Sequence, residues 1–278
     1  MTHFSDQTNK PLVSVIMAVF NGKAYVDEAI GSITAQTLQN IEFIIVDDGS
    51  NDGTTELLQE WSKRDNRIHV LTNETNQGLT YSLRLASERA QGKYLARMDA
   101  DDVALPERLE KQVNALAADA TVKCVGCDVL IIDAKGRTIK KVVMPREDLC
   151  AKLFKRNCLV HGSLLFERAA FEEVGGYNPR FRYAQDYDLL LCLAEKYTVS
   201  AVNEELYKLR VTGQNLSSKK LFRQLYYTAL AKYEHELRMR KRELSFLERW
   251  MVFLTQFFYT WVIIYKFGLP KLAAFFRK

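Results

Sequence analysis

Leu12–Ser50 reads LVSVIMAVFNGKAYVDEAIGSITAQTLQNIEFIIVDDGS. Leu12 to Phe20 is a continuous apolar run stopped by the turn pair Asn21–Gly22, the pattern of a strand buried on both faces. From about Ala24 to Ala35, Tyr25, Ala29, Ile30 and Ile33 fall on one side of a helix. Ile41 to Val46 is a second strand, ending at the acidic turn Asp47–Asp48–Gly49–Ser50. The rhythm continues with a helix over Thr54 to Lys63, a short strand at Ile68–Leu71, a helix over 79–90 and a strand over Lys93 to Met98. Near-continuous apolar strands alternating with helices predict a Rossmann-like α/β domain, with a mostly parallel sheet covered on both faces. Such sheets bind ligands at the carboxyl ends of their strands. The turns at Asn21–Gly22, Asp47–Ser50 and Asp99–Asp102 all sit there and should face one crevice.

Further along, helices are expected at about 106–118, at 148–156 and from Asp186 to Lys196, with a long strand over 122–132. Asp133–Gly136 is a turn, Gly175–Pro179 a loop, and Val199–Val202 and Leu206–Val211 two short late strands. Residues 1–10 form a polar N-terminal tail, 11–218 the main domain and 219–278 a helical tail.

The chain has 278 residues and a formal charge of +5, unevenly spread. Residues 219–278 hold thirteen Lys/Arg against four Glu, a charge of +9, so the first 218 residues carry −4. Met1 to Lys10 has no apolar run with a cleavage site, which places the expected location in the cytoplasm. Five cysteines without framework spacing fit a reducing compartment. Cys124 and Cys127 form a C-x-x-C with no second pair to complete a zinc site, and inside an apolar strand they read as small core residues.

The chemistry concentrates in Ala96–Asp102, ARMDADD, where three carboxylates occupy four positions. Three readings compete. One is a solvated turn in which Asp102 caps the helix entered through Pro106. The second is a hard-cation site for Mg²⁺ or Mn²⁺, because Mg²⁺ is held by one or two carboxylates plus substrate phosphates. The third is a nucleophilic Asp for phosphoryl transfer. The second acidic turn, Asp47–Asp48, lies at a neighbouring strand end and favours a cation bridging to a nucleotide diphosphate. Neither G-x-x-x-x-G-K-[ST] nor G-x-G-x-x-G occurs, which argues against a P-loop ATPase or a dinucleotide oxidoreductase.

The segments VSVIMAVFNG, IIVDDGSNDGT, NQGLTYSLRLA, GKYLARMDADDVALPERLEKQV, VHGSLLF, VGGYNPRF and AQDYDLLLCL occur in the order and spacing of family 2 glycosyltransferases. The resemblance covers about residues 11 to 218 and implies an inverting enzyme of the glycosyltransferase type A fold. By that resemblance Ala18, Phe20 and Asn21 lie beside the base, although Pro and Tyr are more usual at positions 18 and 20. Asp47 and Asp48 match the acids that read base and ribose. Asp99 and Asp101 match the Asp-x-Asp, with Asp99 near the ribose and Asp101 as the chief ligand of Mg²⁺ or Mn²⁺. Asp186 matches the catalytic base. Its position at a helix start suits a carboxylate held ionised, and an inverting transfer needs one base to take the acceptor hydroxyl's proton. His161 resembles a family histidine on the acceptor side, with a packed, hydrogen-bonded residue as the other reading, and Asp188 reads as a structural or acceptor-side carboxylate. Arg84 stands where Asn is commoner and either contacts a phosphate or pairs with Glu88 at i+4. Thr212 stands where some members have a metal-binding His.

In the tail, Leu221, Phe222, Leu225, Tyr226, Leu230, Tyr233 and Leu237 form a helical stripe. Trp250 to Tyr265 runs sixteen residues without a charge, short and polar for a span, and its aromatic residues with basic flanks suit a helix lying on an anionic membrane surface. The alternatives are a helix packed on the catalytic domain or on a partner subunit, and a true span. Nothing resembles a base-reading module, so nucleic acid is not an expected partner. The sequence thus points to transfer of a sugar from a nucleotide-sugar donor, UDP-linked by expectation, to a glycan or lipid-linked glycan acceptor at the inner face of the membrane. The rivals are a nucleotidyltransferase or phosphatase using the acidic cluster, and a non-catalytic membrane-docked sugar-nucleotide-binding protein.

Overall fold

The first half of the chain folds as four parallel strands joined by helices in a computed structural model that describes residues 10–212 and 218–240. In chain order these are β1 (Val13–Val19), α1 (Val26–Thr34), β2 (Ile41–Asp47), α2 (Thr54–Arg64), β3 (Ile68–Thr72), α3 (Leu79–Arg89) and β4 (Tyr94–Arg97). Every position of β2 is buried, so both faces of the sheet are covered, as its unbroken apolar character required. The acid inside it, Glu42, is satisfied: Ser14 Oγ donates to it at 2.5 Å and the Gln91 N–H at 2.7 Å, while Asp47 closes the strand. The Gly92 N–H donates in turn to Ser14 Oγ at 2.8 Å. This small buried network fixes the turn from which β4 starts. A Cβ at Gly92 would lie 2.6 Å from the Ser14 backbone nitrogen, so only glycine lets the turn approach this closely.

The second half comprises β5 (Val103–Ala104), α4 (Arg108–Ala118), β6 (Val122–Ile132), β7 (Thr138–Val142), α5 (Leu149–Lys155), β8 (Leu165–Glu167), α6 (Arg168–Glu173), α7 (Gln185–Ala194) and β9 (Thr198–Arg210). The strand order is β3-β2-β1-β4-β8-β6-β9-β5, with β7 also paired to β6. The sheet is therefore mixed, because β8 runs antiparallel to both β4 and β6. That leaves β6 and β9 pointing the same way as β4, so the carboxyl ends of β1, β2, β4, β6 and β9 all meet at one edge.

The two late strands expected at 199–202 and 206–211 are one strand of 13 residues, β9. The polar Asn203–Glu204–Glu205 is absorbed as a bulge, where Cys127 pairs with Val202 but Asp128 with Glu205. Bulges of this kind re-aim the side chains that follow. Short β5, the hairpin strand β7 and α6 lacked a periodic signal long enough to be expected. Cys124 and Cys127 are both fully buried in β6, and burial pushes their thiols up, that of Cys127 to about 11. They are inert core residues, as their apolar surroundings implied.

The chain forms two compact units, Met1–Asn215 and Leu216–Lys278. In the second, α8 (Ser218–Arg240) is the described element, and Leu225 and Tyr226 of the expected stripe are exposed on it. No helix among the described residues is long and apolar enough to cross a membrane. The basic cluster from Lys241 and the aromatic run Trp250–Tyr265 lie outside the described residues.

Candidate active site

Strands β1, β2 and β4 end side by side, with Val19 paired to Asp47 and Ile16 to Arg97. The three expected loops therefore do share one crevice. Asn21 takes a left-handed backbone (φ 52°), which Asn tolerates better than most residues, and it knits two loops together. Its N–H donates to Ser50 Oγ at 2.9 Å, and its Oδ1 accepts the Asn51 N–H at 2.9 Å. Beside it the Phe20 ring is 48% exposed at the end of β1, an uncovered aromatic face, while Ala18 is partly buried below.

The acidic pair after β2 is built inward. Asp47 is fully buried and accepts the Ser50 N–H at 3.0 Å and the Thr55 hydroxyl. Asp48 accepts four bonds: Asn73 Nδ2 at 2.7 Å, Ser82 Oγ at 3.0 Å, and the N–H groups of Gln77 at 2.9 Å and Gly78 at 2.8 Å. Four donors fill a carboxylate's usual capacity. Asp48 thus holds the 73–78 loop in place, and a direct contact with a base would require exchanging one of these bonds. Arg84, on α3, lies 3.8 Å from Glu88, which is the i+4 pairing.

The third loop rests on a cation that its sequence barely advertised. Arg97, the last residue of β4, is fully buried, and its Nη2 donates to Asp99 Oδ1 at 2.5 Å while Nη1 donates to the Met98 carbonyl. Burial opposes its charge, but Asp99 and the phenols of Tyr177 and Tyr207 prevail and raise its pKa above the ordinary arginine value. A second buried arginine, Arg108, lies beneath. It donates to the Arg97 carbonyl at 2.7 Å and sits 5.0 Å from the centre of the Tyr207 ring.

Asp102 differs from the expectation of a solvated helix cap. It is 1% exposed, and it accepts the Tyr207 hydroxyl at 2.8 Å and the Arg210 N–H at 2.7 Å, both from β9. Burial, then the charges of Asp99 and Asp101, raise its pKa well above the usual carboxylate range. Its job is to join the acidic loop to β9. Arg210 completes the join: its Nε donates to the Asp101 carbonyl at 2.8 Å, its Nη2 to Glu28 at 2.5 Å, and its guanidinium stacks 4.7 Å from the Tyr25 ring.

Asp101 is the acid that this scaffold does not use. Burial and the neighbouring Asp99 raise its pKa, so its charge is costly as it stands and a bound cation would relieve that cost. Among the described residues no three Asp, Glu, His or Cys side chains converge to hold a metal ion. Two carboxylates, with the remaining positions taken by substrate phosphate and water, is nonetheless an ordinary arrangement for Mg²⁺. The residues present fit that group.

The facing wall comes from the second half of the chain. A single 3-10 turn, His161–Ser163, carries Gly162 against the acidic loop. His161 Nε2 lies 2.8 Å from the Tyr177 hydroxyl, and burial followed by Arg97 pushes its pKa well below the ordinary value, so it is neutral at physiological pH. Asp186 is the second residue of α7, after Ala184 in a left-handed conformation (φ 54°). It accepts Asn157 Nδ2 at 2.8 Å. The helix-start expectation is half met: the Tyr187 N–H lowers its pKa, but burial outweighs that bond and the net shift is upward. Asp99 contributes to the same rise, so the two carboxylates share the crevice. Asp188, one turn on from Ala184, is 2% exposed and faces the interior. Thr80 Oγ1 donates to the Phe181 carbonyl at 2.7 Å, tying the loop before α7 to the start of α3.

Sequence reasoning missed Arg97, Arg108, Gly162, Tyr177, Tyr207 and Arg210. Arg97 had a signal, as the only charge inside Tyr94–Met98. The others act on partners outside their own element, 11 residues away for Arg108 and Arg97 and 182 for Arg210 and Glu28.

The family model described as Glycosyl transferase family 2 matches residues 14–175. An uncharacterized glycosyltransferase of Methanocaldococcus jannaschii is 32% identical over 228 residues, 80% of this chain and 78% of that protein. The O-antigen biosynthesis glycosyltransferase WbnJ of Escherichia coli is 35% identical over 182 residues, 65% of this chain and 70% of its own length. Among solved structures, the mannosyltransferase PcManGT of Pyrobaculum calidifontis, in complex with GDP-Man and Mn²⁺, superposes with a TM-score of 0.63 at 19% identity, covering 98% of this chain and 80% of that one. A TarS fragment from S. aureus in complex with UDP gives a TM-score of 0.58 at 18% identity over 79% of this chain, which spans 64% of the fragment. At these identities the two structures establish the fold.

Gly162 tests the packing of the site. A Cβ there would fall 2.1 Å from the Tyr207 hydroxyl and 2.6 Å from Asp99 Oδ2. Gly162→Ala should cost about 1–3 kcal/mol of stability, as overpacking does, and should lower turnover of the nucleotide-sugar donor at least about tenfold by displacing Asp99. Thermal melting and a donor-turnover assay read the two effects, and wild-type values in both would show that the turn is not packed as described.

Proposed function

The chain belongs to glycosyltransferase family 2, and from that membership we propose an inverting, divalent-cation-dependent transfer of sugar from a nucleoside-diphosphate sugar, UDP-linked by preference, to a glycan or lipid-linked glycan acceptor. One observation carries the reading. Asp99 and Asp101 follow the end of β4, beside the ends of β1 and β2, and the charge of Asp99 acts on Asp186. Donor-side and acceptor-side groups thus meet at a single acidic loop. Relatives give the coarser support: one functions in O-antigen biosynthesis, and the neighbouring structures bind UDP, or GDP-Man with Mn²⁺.

Each residue then has a task that its surroundings permit. The exposed Phe20 ring, with Ala18 and Asn21, offers a surface for the base. Asp47 and Asp48 keep the adjoining loops shaped to meet it. Asp99, pinned through one oxygen, turns toward the ribose, and Asp101, with Asp99 beside it, would hold Mg²⁺ or Mn²⁺. When bound, that cation neutralises charge on the departing diphosphate. Asp186 takes the proton of the acceptor hydroxyl as the oxygen attacks C1 opposite the diphosphate. His161, neutral and bonded to Tyr177, shapes the acceptor wall, while the buried Asp188 takes the structural reading instead of the acceptor-side one.

The decisive assay is Mn²⁺-dependent turnover of UDP-, GDP- and dTDP-sugars by the full chain, with the released nucleotide identified. Asp101→Ala and Asp186→Asn should each lower it by about a hundredfold or more, the scale of a lost base or charge stabiliser. Wild-type rates in either variant would overturn its assigned role. Release of pyrophosphate in place of a nucleoside diphosphate would favour a nucleotidyltransferase.

The raised pKa of Asp186 sets a pH dependence. The base must be ionised, so activity is present above its pKa and is lost as pH falls through it. With cation and donor saturating, the acid limb of kcat should lie above the ordinary aspartate value of about 3.9. A limb at or below that value would remove Asp186 as the ionising group.

For the tail we propose peripheral attachment to the cytoplasmic face of an anionic membrane through residues 219–278, whose +9 charge supplies the attraction. Deleting residues 245–278 should move the protein from the membrane to the soluble fraction. An unchanged distribution would disprove attachment through this segment.

A further inference from the structure

The three acids of ARMDADD stand beside one another without an equal share in the chemistry, and Arg97 is the reason. Its guanidinium is fully buried and reaches Asp99 Oδ1 at 2.5 Å, whereas Asp99 is 32% exposed toward the crevice. The other Asp99 oxygen, Oδ2, packs against Gly162, where even a methyl group would come within 2.6 Å of it. The Asp99 N–H lies 3.2 Å from the Tyr207 hydroxyl. The carboxylate is thereby clamped from below and from the side, with its charge cancelled at contact distance. Asp102 is spent on Tyr207 and Arg210.

Filling the space at position 97 does not by itself require a charge. The Arg97 Nε is buried and has no hydrogen-bond partner among the described residues, a desolvation cost that an apolar side chain of similar volume would avoid. What only a buried cation supplies is an uneven distribution of negative charge around the loop. Resting on the reading of Asp99 and Asp101 given above, we propose that Arg97 is a positioning residue: an internal counter-cation that cancels and orients Asp99, leaving Asp101 as the one carboxylate whose charge recruits the divalent cation and the donor diphosphate. Without it, the loop would present two uncompensated carboxylates. It would then bind a bare cation more tightly but hold the cation–diphosphate pair less well, because the extra negative charge repels the phosphates.

This separates charge-setting from mere packing, which would weaken both kinds of binding together. The test uses the full-length protein and titrates Mn²⁺ by loss of its free-ion EPR signal, without donor, alongside donor KM and kcat. Arg97→Met should bind Mn²⁺ about threefold to tenfold more tightly than wild type while donor KM rises and kcat falls. Arg97→Lys, which keeps the charge but loses the planar fork, should restore Mn²⁺ affinity to near wild type and leave kcat low. Unchanged or weaker Mn²⁺ binding by Arg97→Met would overturn the proposal.

Should Arg97→Met fail to fold, Asp99→Asn in the wild-type background serves instead. Because Arg97 already cancels Asp99, its Mn²⁺ affinity should fall by less than about threefold, and a loss of tenfold or more would refute the cancellation. Asp101→Asn keeps the two readings apart. If it retains Mn²⁺ affinity and turnover, the assignment of the cation to Asp101 fails. If it loses them while Arg97→Met binds Mn²⁺ as wild type does, only the role of Arg97 fails.

Discussion

The contact between Arg97 and Asp99 at the end of β4 is the constraint around which the catalytic edge is arranged. Two like charges about 4 Å apart at an effective dielectric of about 20 repel by about 4 kcal/mol, a large share of the roughly 5–15 kcal/mol that holds a domain folded. Three adjacent carboxylates therefore need internal relief, and the fold provides it unequally. Arg97 answers Asp99, and β9 answers Asp102 through the Tyr207 hydroxyl and the Arg210 N–H. The cost left over falls on Asp101 and Asp102, whose pKa values both stay raised, but only the Asp102 carboxylate is given partners on β9.

That arrangement depends on strands from opposite ends of the chain. β4 carries the acidic loop, while the side chains that brace it arrive on β9, more than a hundred residues later. The bulge at Asn203–Glu205 matters here, because beyond it Val129 pairs with Tyr207 and Ile132 with Arg210. Gly162 closes the third side. Its lack of a Cβ lets the turn lie against both Asp99 and the Tyr207 hydroxyl. The loops after β1 and β2 have a different construction: Asn21, Asp47 and Asp48 are fastened by bonds to nearby loops of the first half.

This contrast explains what could be read from the amino-acid order. The strand–helix alternation from Leu12 to Met98 is local and repetitive, so the elements fall within a few residues of their expected bounds. The crevice followed from parallel strands ending at one edge. Asp102 was misjudged because Asp-Asp-x-x-Leu-Pro looks like a capped turn, and no local pattern can reveal that Tyr207 reaches it. β9 was split in two because a polar triplet resembles a turn until a partner strand shows it to be a bulge. Asp186 was located by its motif, but the sign of its pKa shift depended on burial by the surrounding chain, which outweighs the helix N–H groups.

The two halves of the sheet also divide the chemistry. The loops after β1 and β2 are fastened mainly by hydrogen bonds within the first hundred residues, with Arg210 reaching back to stack on Tyr25. The facing wall, with Gly162, Tyr177 and Asp186, comes from the second half, and the acidic loop at the end of β4 is the seam. The charge on Asp99 reaches across that seam and helps to raise the pKa of Asp186. Any positive charge that binds beside Asp99 acts in the opposite sense on Asp186, favouring its ionised form. If Asp101 holds the cation and Asp186 is the base, as proposed, donor loading and readiness of the base are linked through the electrostatics of one loop.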